Sequence, residues 1–98
     1  MLNDKRIRLV GLANRAGKVR AGTFITEKLI REGNAPLVIF AKDGSEKQKE
    51  KLVDLAIKNE VDYIFLGTKD ELGEILGKGE TISLVVTDMN FINGIKNC

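Results

Sequence analysis

LVIFAKDGSEKQ, Leu37 to Gln48, decides the fold. Its opening residues, Leu37 to Ala41, are an unbroken run of branched and aromatic side chains, the composition of a strand covered on both faces. AKDG then makes a turn, and Ser45 stands three residues before Gln48, the capping-box spacing that opens a helix. A buried strand that passes through a tight turn into a capped helix is an α/β unit, and such a strand belongs at the centre of a sheet.

The same grammar extends in both directions. Downstream, Leu52, Leu55 and Ala56 form the apolar stripe of the helix after Ser45, with Lys47, Lys51, Asp54 and Lys58 on its wet side. Tyr63 to Gly67 reads as a second apolar strand, and Thr68 with Glu71 repeats the capping box before a short helix ending near Gly77. Lys78 to Thr81 reads as a loop, SLVV (Ser83 to Val86) as a buried strand, and Asp88 as the cap of a last helix with Met89, Ile92 and Ile95 inward. Upstream, a helix from an Asn3 cap to Ala16 would bury Leu9, Leu12, Ala13 and Ala16, with Asp4, Arg8 and Arg15 opposite. Lys18 to Ala21 is a short strand, Gly22-Thr23 opens a helix through about Arg31, and Gly33 closes it. The pattern predicts one domain of 98 residues, a helix followed by strand-helix units, with helices on both faces of a four-stranded sheet.

Composition narrows the function classes. A chain that is 43% hydrophobic and 31% charged is globular. No apolar run approaches the roughly 18 residues of a membrane span. The one cysteine, Cys98, has no intrachain partner, which suits a reducing cytoplasm. With no histidine, the commonest general base and metal ligand is missing, and neither a metal nor a cofactor is expected. GLANRAGKV, Gly11 to Val19, carries the Gly-Lys of a phosphate loop, but five residues separate its glycines, Val19 replaces the hydroxyl residue, and the context is helical. Asp43, Thr68-Lys69 and Asp88 fall after strands, where α/β sheets collect ligands, and offer a magnesium-and-phosphate alternative. Turn and cap roles account for the same residues.

Charge is unevenly placed. Through Arg31 there are eight basic and two acidic residues, a net +6 within a chain of net +2. A basic third on a nearly neutral chain marks a face for a polyanion. KVRAGTFITEK, Lys18 to Lys28, puts Lys18 and Arg20 on a short strand, Gly22 at a close backbone approach, and the amides of Thr23 onward at a helix start. Such amides with flanking cations bind phosphate oxygens, and Phe24 offers a face to an unstacked base. The alternative for Phe24 and Ile25 is packing, and Ile25 is assigned to it.

These segments resemble a known family, the kink-turn RNA-binding ribosomal proteins of the L-seven-Ae and L-thirty-e type, over nearly the whole chain. That family carries a lysine-rich strand, Gly-Thr-Asn-Glu-x-x-Lys, a glycine, and an apolar strand ending in Ala-x-Asp. KVRAGTFITEK, Gly33 and LVIFAKD are similar to it, as YIFLGTKDELGEILG, Tyr63 to Gly77, is to the family's second motif. The resemblance implies a three-layer α/β/α fold with a four-stranded mixed sheet, no enzymatic activity, and a ribosomal or ribonucleoprotein setting. It implies RNA contact by Lys18, Arg20, Gly22, Thr23 and Lys28, and by Lys78, Gly79, Glu80, Thr81 and Ile82 at a flipped-out nucleotide. Arg31 stands two residues before Gly33, where the family has an arginine beside the glycine. The family's Asn-Glu pair, which reads sheared G·A pairs, is replaced by Phe24-Ile25, whose side chains neither donate nor accept hydrogen bonds. The sequence thus points to a monomeric, cytoplasmic binder of structured RNA with altered specificity; a protein-interaction module on the same fold is the second reading.

Overall fold

The computed structural model describes residues 4–44 and 46–97. Its elements are α1 (Lys5–Arg15), β1 (Val19–Ala21), α2 (Thr23–Glu32), β2 (Leu37–Phe40), α3 (Glu46–Lys58), β3 (Tyr63–Phe65), α4 (Lys69–Leu76), β4 (Ser83–Val86) and α5 (Met89–Lys96). The strands form one mixed sheet in the order β1-β4-β2-β3. β4 is antiparallel to both of its neighbours, and β2 and β3 are parallel.

Strand alternation sorts the core into two layers. Leu37, Ile39 and Ala41 face one side with Leu84 and Val86, where Ile7, Val10, Leu72 and Ile92 of α1, α4 and α5 cover them. Val38, Phe40 and Val85 face the other, beneath Ile30 of α2 and Leu52 and Ala56 of α3. Every residue of β2 and of β4 is buried, as expected of central strands. The three-layer α/β/α fold is therefore present.

Local expectations mostly hold, with four differences. Asp4 caps α1, its carboxylate accepting from the Arg6 amide; the expected cap Asn3 lies outside the described residues, as do Ser45 and Cys98. The buried stripe of α1 is Ile7, Val10 and Ala13, with Leu9 partly buried, whereas Leu12 is 50% exposed and Ala16 is an exposed C-cap. The packing partners account for the stripe: α4 closes onto Gly11, where a Cβ would lie 2.8 Å from Ile75 Cγ1, and α5 approaches Leu9 at Gly94. Met89 is exposed, because α5 begins there and packs through Ile92 and Ile95.

Two long-range features hold the end of the sheet that carries the candidate site. Thr26, fully buried on α2, donates its hydroxyl to the Gly22 carbonyl at 2.6 Å and accepts one from Ser83 of β4 at 3.1 Å. After Gly77, in the left-handed conformation, the chain folds back over α4, with the Lys78 amide donating to the Gly73 carbonyl at 2.8 Å. A Cβ on Gly73 would strike the backbone of Gly79, so only glycine admits this return.

Thr26→Val leaves the buried Ser83 hydroxyl without its acceptor and should cost about 1–3 kcal/mol, whereas Ser83→Ala, which leaves the Thr26–Gly22 bond intact, should cost less. Urea unfolding of both variants checks the order, and equal costs would show that the Ser83 hydroxyl does not depend on Thr26. Gly73→Ala should lower stability by about 1–3 kcal/mol through overpacking, because backbone rather than a side-chain tip opposes the new methyl. Thermal unfolding at wild-type temperature would contradict that contact.

Candidate nucleic-acid interface

α2 starts on a glycine. Gly22, at φ 120° and ψ 155°, offers no side-chain cap, although its own amide is held by the Ser83 carbonyl at 3.0 Å. That φ strains any L-residue, so glycine is required for the backbone path. The amides of Thr23, Phe24 and Ile25 precede the first intrahelical hydrogen bond, which runs from Thr26 to the Gly22 carbonyl. The other helix starts with a described cap residue are each satisfied by a side chain: Asp4 for α1, Thr68 for α4 and Asp88 for α5. An open N-terminal turn carries the positive end of the helix dipole and is an anion-binding arrangement.

The segment 78–82 stands opposite. Gly22 and Thr23 form one wall of a groove of ≈ 630 Å³, and Lys78 to Ile82 form the other, with Lys69 and Gln48 at its border. The segment is pinned: the Glu80 carboxylate meets Lys69 Nζ at 2.8 Å, the Thr81 amide donates to the Lys69 carbonyl at 3.0 Å, and the Ile82 carbonyl accepts from Ala41 at 2.9 Å. The hydrogen bond to Glu80 raises the Lys69 pKa above its ordinary value. Within the segment, Lys78, Gly79 and Glu80 are exposed. Thr81 is buried, its hydroxyl donating to the Gly79 carbonyl, and serves as the anchor of the loop. Ile82 is partly buried beside Gly44.

The cations differ in placement. Arg20, exposed on β1 and paired in register with Val85, projects on the α2 side of the sheet, and exposed Lys18 precedes it. Lys28 follows Phe24 by one helical turn and lies 4.0 Å from Glu32. Arg31 lies some 12 Å along α2 from Thr23. It is tied to Glu27 at 3.1 Å, and Lys51 reaches the same carboxylate at 3.5 Å. The Arg31 hydrogen bond, then the Lys51 charge, hold the Glu27 carboxyl below its ordinary range. The structure thus brings Gly22, Thr23 and 78–82 together, puts Phe24 and Lys28 on the first turns of α2, and leaves Arg31 at the far end of that helix and Lys18, whose carbonyl accepts from the Thr87 amide, at the far end of β1. Phe24 is 83% exposed, so it does not pack in the core, while Ile25 is partly buried as assigned.

The magnesium-and-phosphate alternative loses its geometry. Asp43 Oδ1 accepts from the Lys69 amide at 2.7 Å, Thr68 and Glu71 complete their capping box, and Asp88 accepts from the Asn90 amide at 2.8 Å. Asp88 also follows an antiparallel strand, which carries it to the opposite end of the sheet from Asp43 and Thr68. Gly17-Lys18 likewise forms no phosphate loop: it follows the end of α1, and its amides are taken by the carbonyls of Asn14 and Ala13 at 3.0 and 2.8 Å. Sequence reasoning missed the Thr26–Ser83 pair, the Gly73 contact, and Lys49, whose buried ammonium donates to the carbonyls of Ala41, Lys42 and Asp43. A lysine one turn into a helix after a strand was the available hint for the last.

Comparison with known proteins agrees with this architecture. The family model described as "Ribosomal protein L7Ae/L30e/S12e/Gadd45 family" matches residues 5–93. "RNA-binding protein YlxQ" of Bacillus subtilis (strain 168) is 36% identical over 85 residues, 87% of this chain and 85% of that protein. A Bacillus halodurans C protein with unknown function superposes with a TM-score of 0.86 at 29% identity, covering 95% of this chain and 94% of the other. The Giardia lamblia 15.5kD RNA binding protein shares the fold, with a TM-score of 0.77 at 22% identity over 99% of this chain and 89% of its own. On a family match that runs from the first residues of α1 into α5, the chain belongs to the ribosomal protein L7Ae/L30e/S12e/Gadd45 family, among relatives of the small bacterial YlxQ type.

Proposed function

We propose that this protein binds structured RNA at a sharp bend, with phosphates seated on the open first turn of α2 and an extruded nucleotide in the groove closed by 78–82. The observation that carries this reading is that groove, which joins an uncapped helix start to a pinned loop. The name of its YlxQ relative supports the ligand class. Arg20 on β1 and Lys28 on α2 add positive charge beside the groove and Lys18 adds it from the far end of β1, Gly22 and Thr23 supply backbone, and Lys78, Gly79 and Glu80 face the nucleotide, with Thr81 and Ile82 holding the loop. Phe24, in place of a hydrogen-bonding residue, stacks on an unpaired base, so base-edge readout at this turn is lost and specificity shifts toward shape. Residues 1–98 act as one RNA-binding domain, a cytoplasmic monomer working on ribosomal or kink-turn-like RNA without a cofactor. The chain holds no described helix long and apolar enough to cross a membrane.

A fluorescence titration against a kink-turn RNA and a straight duplex of equal length, at about 150 mM salt, should show preference for the bent RNA and strong salt dependence. Lys18→Ala, Arg20→Ala and Lys28→Ala should each lower the log–log salt slope by about one. Phe24→Ala should weaken binding by about 1–3 kcal/mol with thermal stability unchanged, since the ring is exposed. Binding to neither RNA would refute the reading and turn the search to a protein partner; an unchanged slope would remove that cation from the site.

A further inference from the structure

Many basic residues in this chain are held by partners. Arg6 pairs with Asp4, Lys28 with Glu32, Arg31 and Lys51 with Glu27, Lys69 with Glu80, and Lys96 with Asp62, while Lys49 donates to backbone carbonyls. Among the described residues, Arg8, Arg15, Lys18 and Arg20, which include every open arginine, have neither an ion pair nor a side-chain hydrogen bond, as is true also of Lys5, Lys42, Lys47, Lys58 and Lys78. Arg8, Leu12 and Arg15 fall at i, i+4 and i+7, so they form one ridge of α1 with its arginines about 10 Å apart along the axis. The ridge borders a groove of ≈ 300 Å³ against Ile75 of α4, and no acidic side chain lines it. Leu12 stands half exposed between the two guanidiniums.

The ridge starts from the end of the sheet that carries the RNA site proposed above. α1 begins there, where a Cβ on Gly67 would lie 3.0 Å from Ile7 Cδ1, and α4 begins there with Lys69 at the border of the main groove. α1 ends at the opposite end of the sheet, where the Lys18 carbonyl accepts from the Thr87 amide, so the ridge leads away from the site, with no carboxylate in the chain between Arg8 and Arg20. Uncompensated positive charge that leads away from a phosphate site has the form of an extended backbone contact. The planar guanidinium fork matches phosphate bidentately.

We propose that the α1–α4 ridge is a second RNA-contacting surface, on which Arg8 and Arg15 take phosphates of the helical stem leaving the bound bend. This inference rests on the RNA-binding reading. Its occupant is the ribose-phosphate backbone, so contact is independent of the stem sequence and depends on stem length.

The test uses the full chain with a kink-turn RNA in two forms, one with short flanking stems and one with its stems extended by a helical turn. Wild type should bind the extended form more tightly. Arg8→Gln/Arg15→Gln should abolish that gain, lower the salt slope on the extended RNA by about two, and leave the short RNA unaffected. Arg8→Lys/Arg15→Lys, which keeps the charge, should restore most of the slope. Circular dichroism confirms that these exposed substitutions leave the fold intact. Equal affinity and slope for wild type and the glutamine variant on the extended RNA would overturn the proposal and leave the ridge to a partner of another class, such as an acidic protein segment. Equal loss on both RNAs would also overturn it, placing the arginines at the bend itself. Failure of the wild type to bind either RNA, or indifference of both to Lys18→Ala, would instead refute the underlying reading of the main site.

Discussion

β4 runs antiparallel between β1 and β2, and the candidate site exists because of that single placement. An antiparallel central strand starts where both of its neighbours end. The residues before β4 are therefore held from two sides, by the Gly22 amide on the Ser83 carbonyl and by the Ala41 amide on the Ile82 carbonyl. This sets 78–82 against the first turn of α2, although more than fifty residues separate them in the chain. Had β4 been parallel to β2, as β3 is, the loop would open at the other end of the sheet and α2 would begin against nothing. The Ser83–Thr26 hydrogen bond carries the constraint from the strand into the helix, so sheet register and helix position are fixed together.

A glycine at the N-cap forgoes only about a few tenths of a kcal/mol relative to Ser, Thr, Asp or Asn. The chain uses such residues at α1, α4 and α5, so the glycine at α2 is a local departure with compensation nearby. Part of it is the Thr26 hydroxyl on the Gly22 carbonyl, which secures the first turn through its acceptor while leaving its donors open. Donors that no side chain has claimed are available to an outside anion without first breaking an internal bond.

Local signals were legible to the extent that they are local. The Thr68–Glu71 box, the Asp88 cap and the glycine stops at Gly33 and Gly77 each depend on residues within one turn, and each stands where the sequence put it. Strand direction is a different kind of information. SLVV has the same buried pattern in either sense, so the local pattern gave no reason to separate Asp88 from Asp43 and Thr68; only the family resemblance implied a mixed sheet. Leu12 and Leu9 are equally apolar, and tertiary neighbours decide which is covered: Leu9 lies against Gly94 of α5, while Ile75 of α4 closes on Gly11. In the candidate site, Gly22 to Lys28 could be read because its parts are contiguous. The anchoring role of Thr81 could not, because it depends on the backbone of Lys69, and the Thr26–Ser83 bond spans 57 residues.

Phe24 shows what kind of recognition this version of the fold supports. The other phenylalanine rings have partners: Phe40 is fully buried between Tyr63 and Phe65, Phe91 is packed against the core, and Phe65, though 44% exposed, lies with its ring centroid 5.8 Å from that of Phe40. A phenylalanine left 83% exposed on the open turn costs solvation in the free protein, and that cost is recovered only if the ring is covered on binding. It offers a π-face to any base and a hydrogen bond to none, and so contributes affinity with little preference among sequences. On the proposed reading the cations Lys18 and Arg20 act in the same sense, since phosphate contacts position a nucleic acid without reading it. With no edge-reading side chain at the turn, the proposed mode leaves discrimination to geometry: only an RNA that brings a phosphate to α2 and a displaced nucleotide to 78–82 at once would satisfy both walls of the groove. On the proposed reading, the rigidity of that loop, fixed by Gly73, Thr81 and the Lys69–Glu80 pair, is what makes such an RNA selective for shape rather than merely attracted by charge.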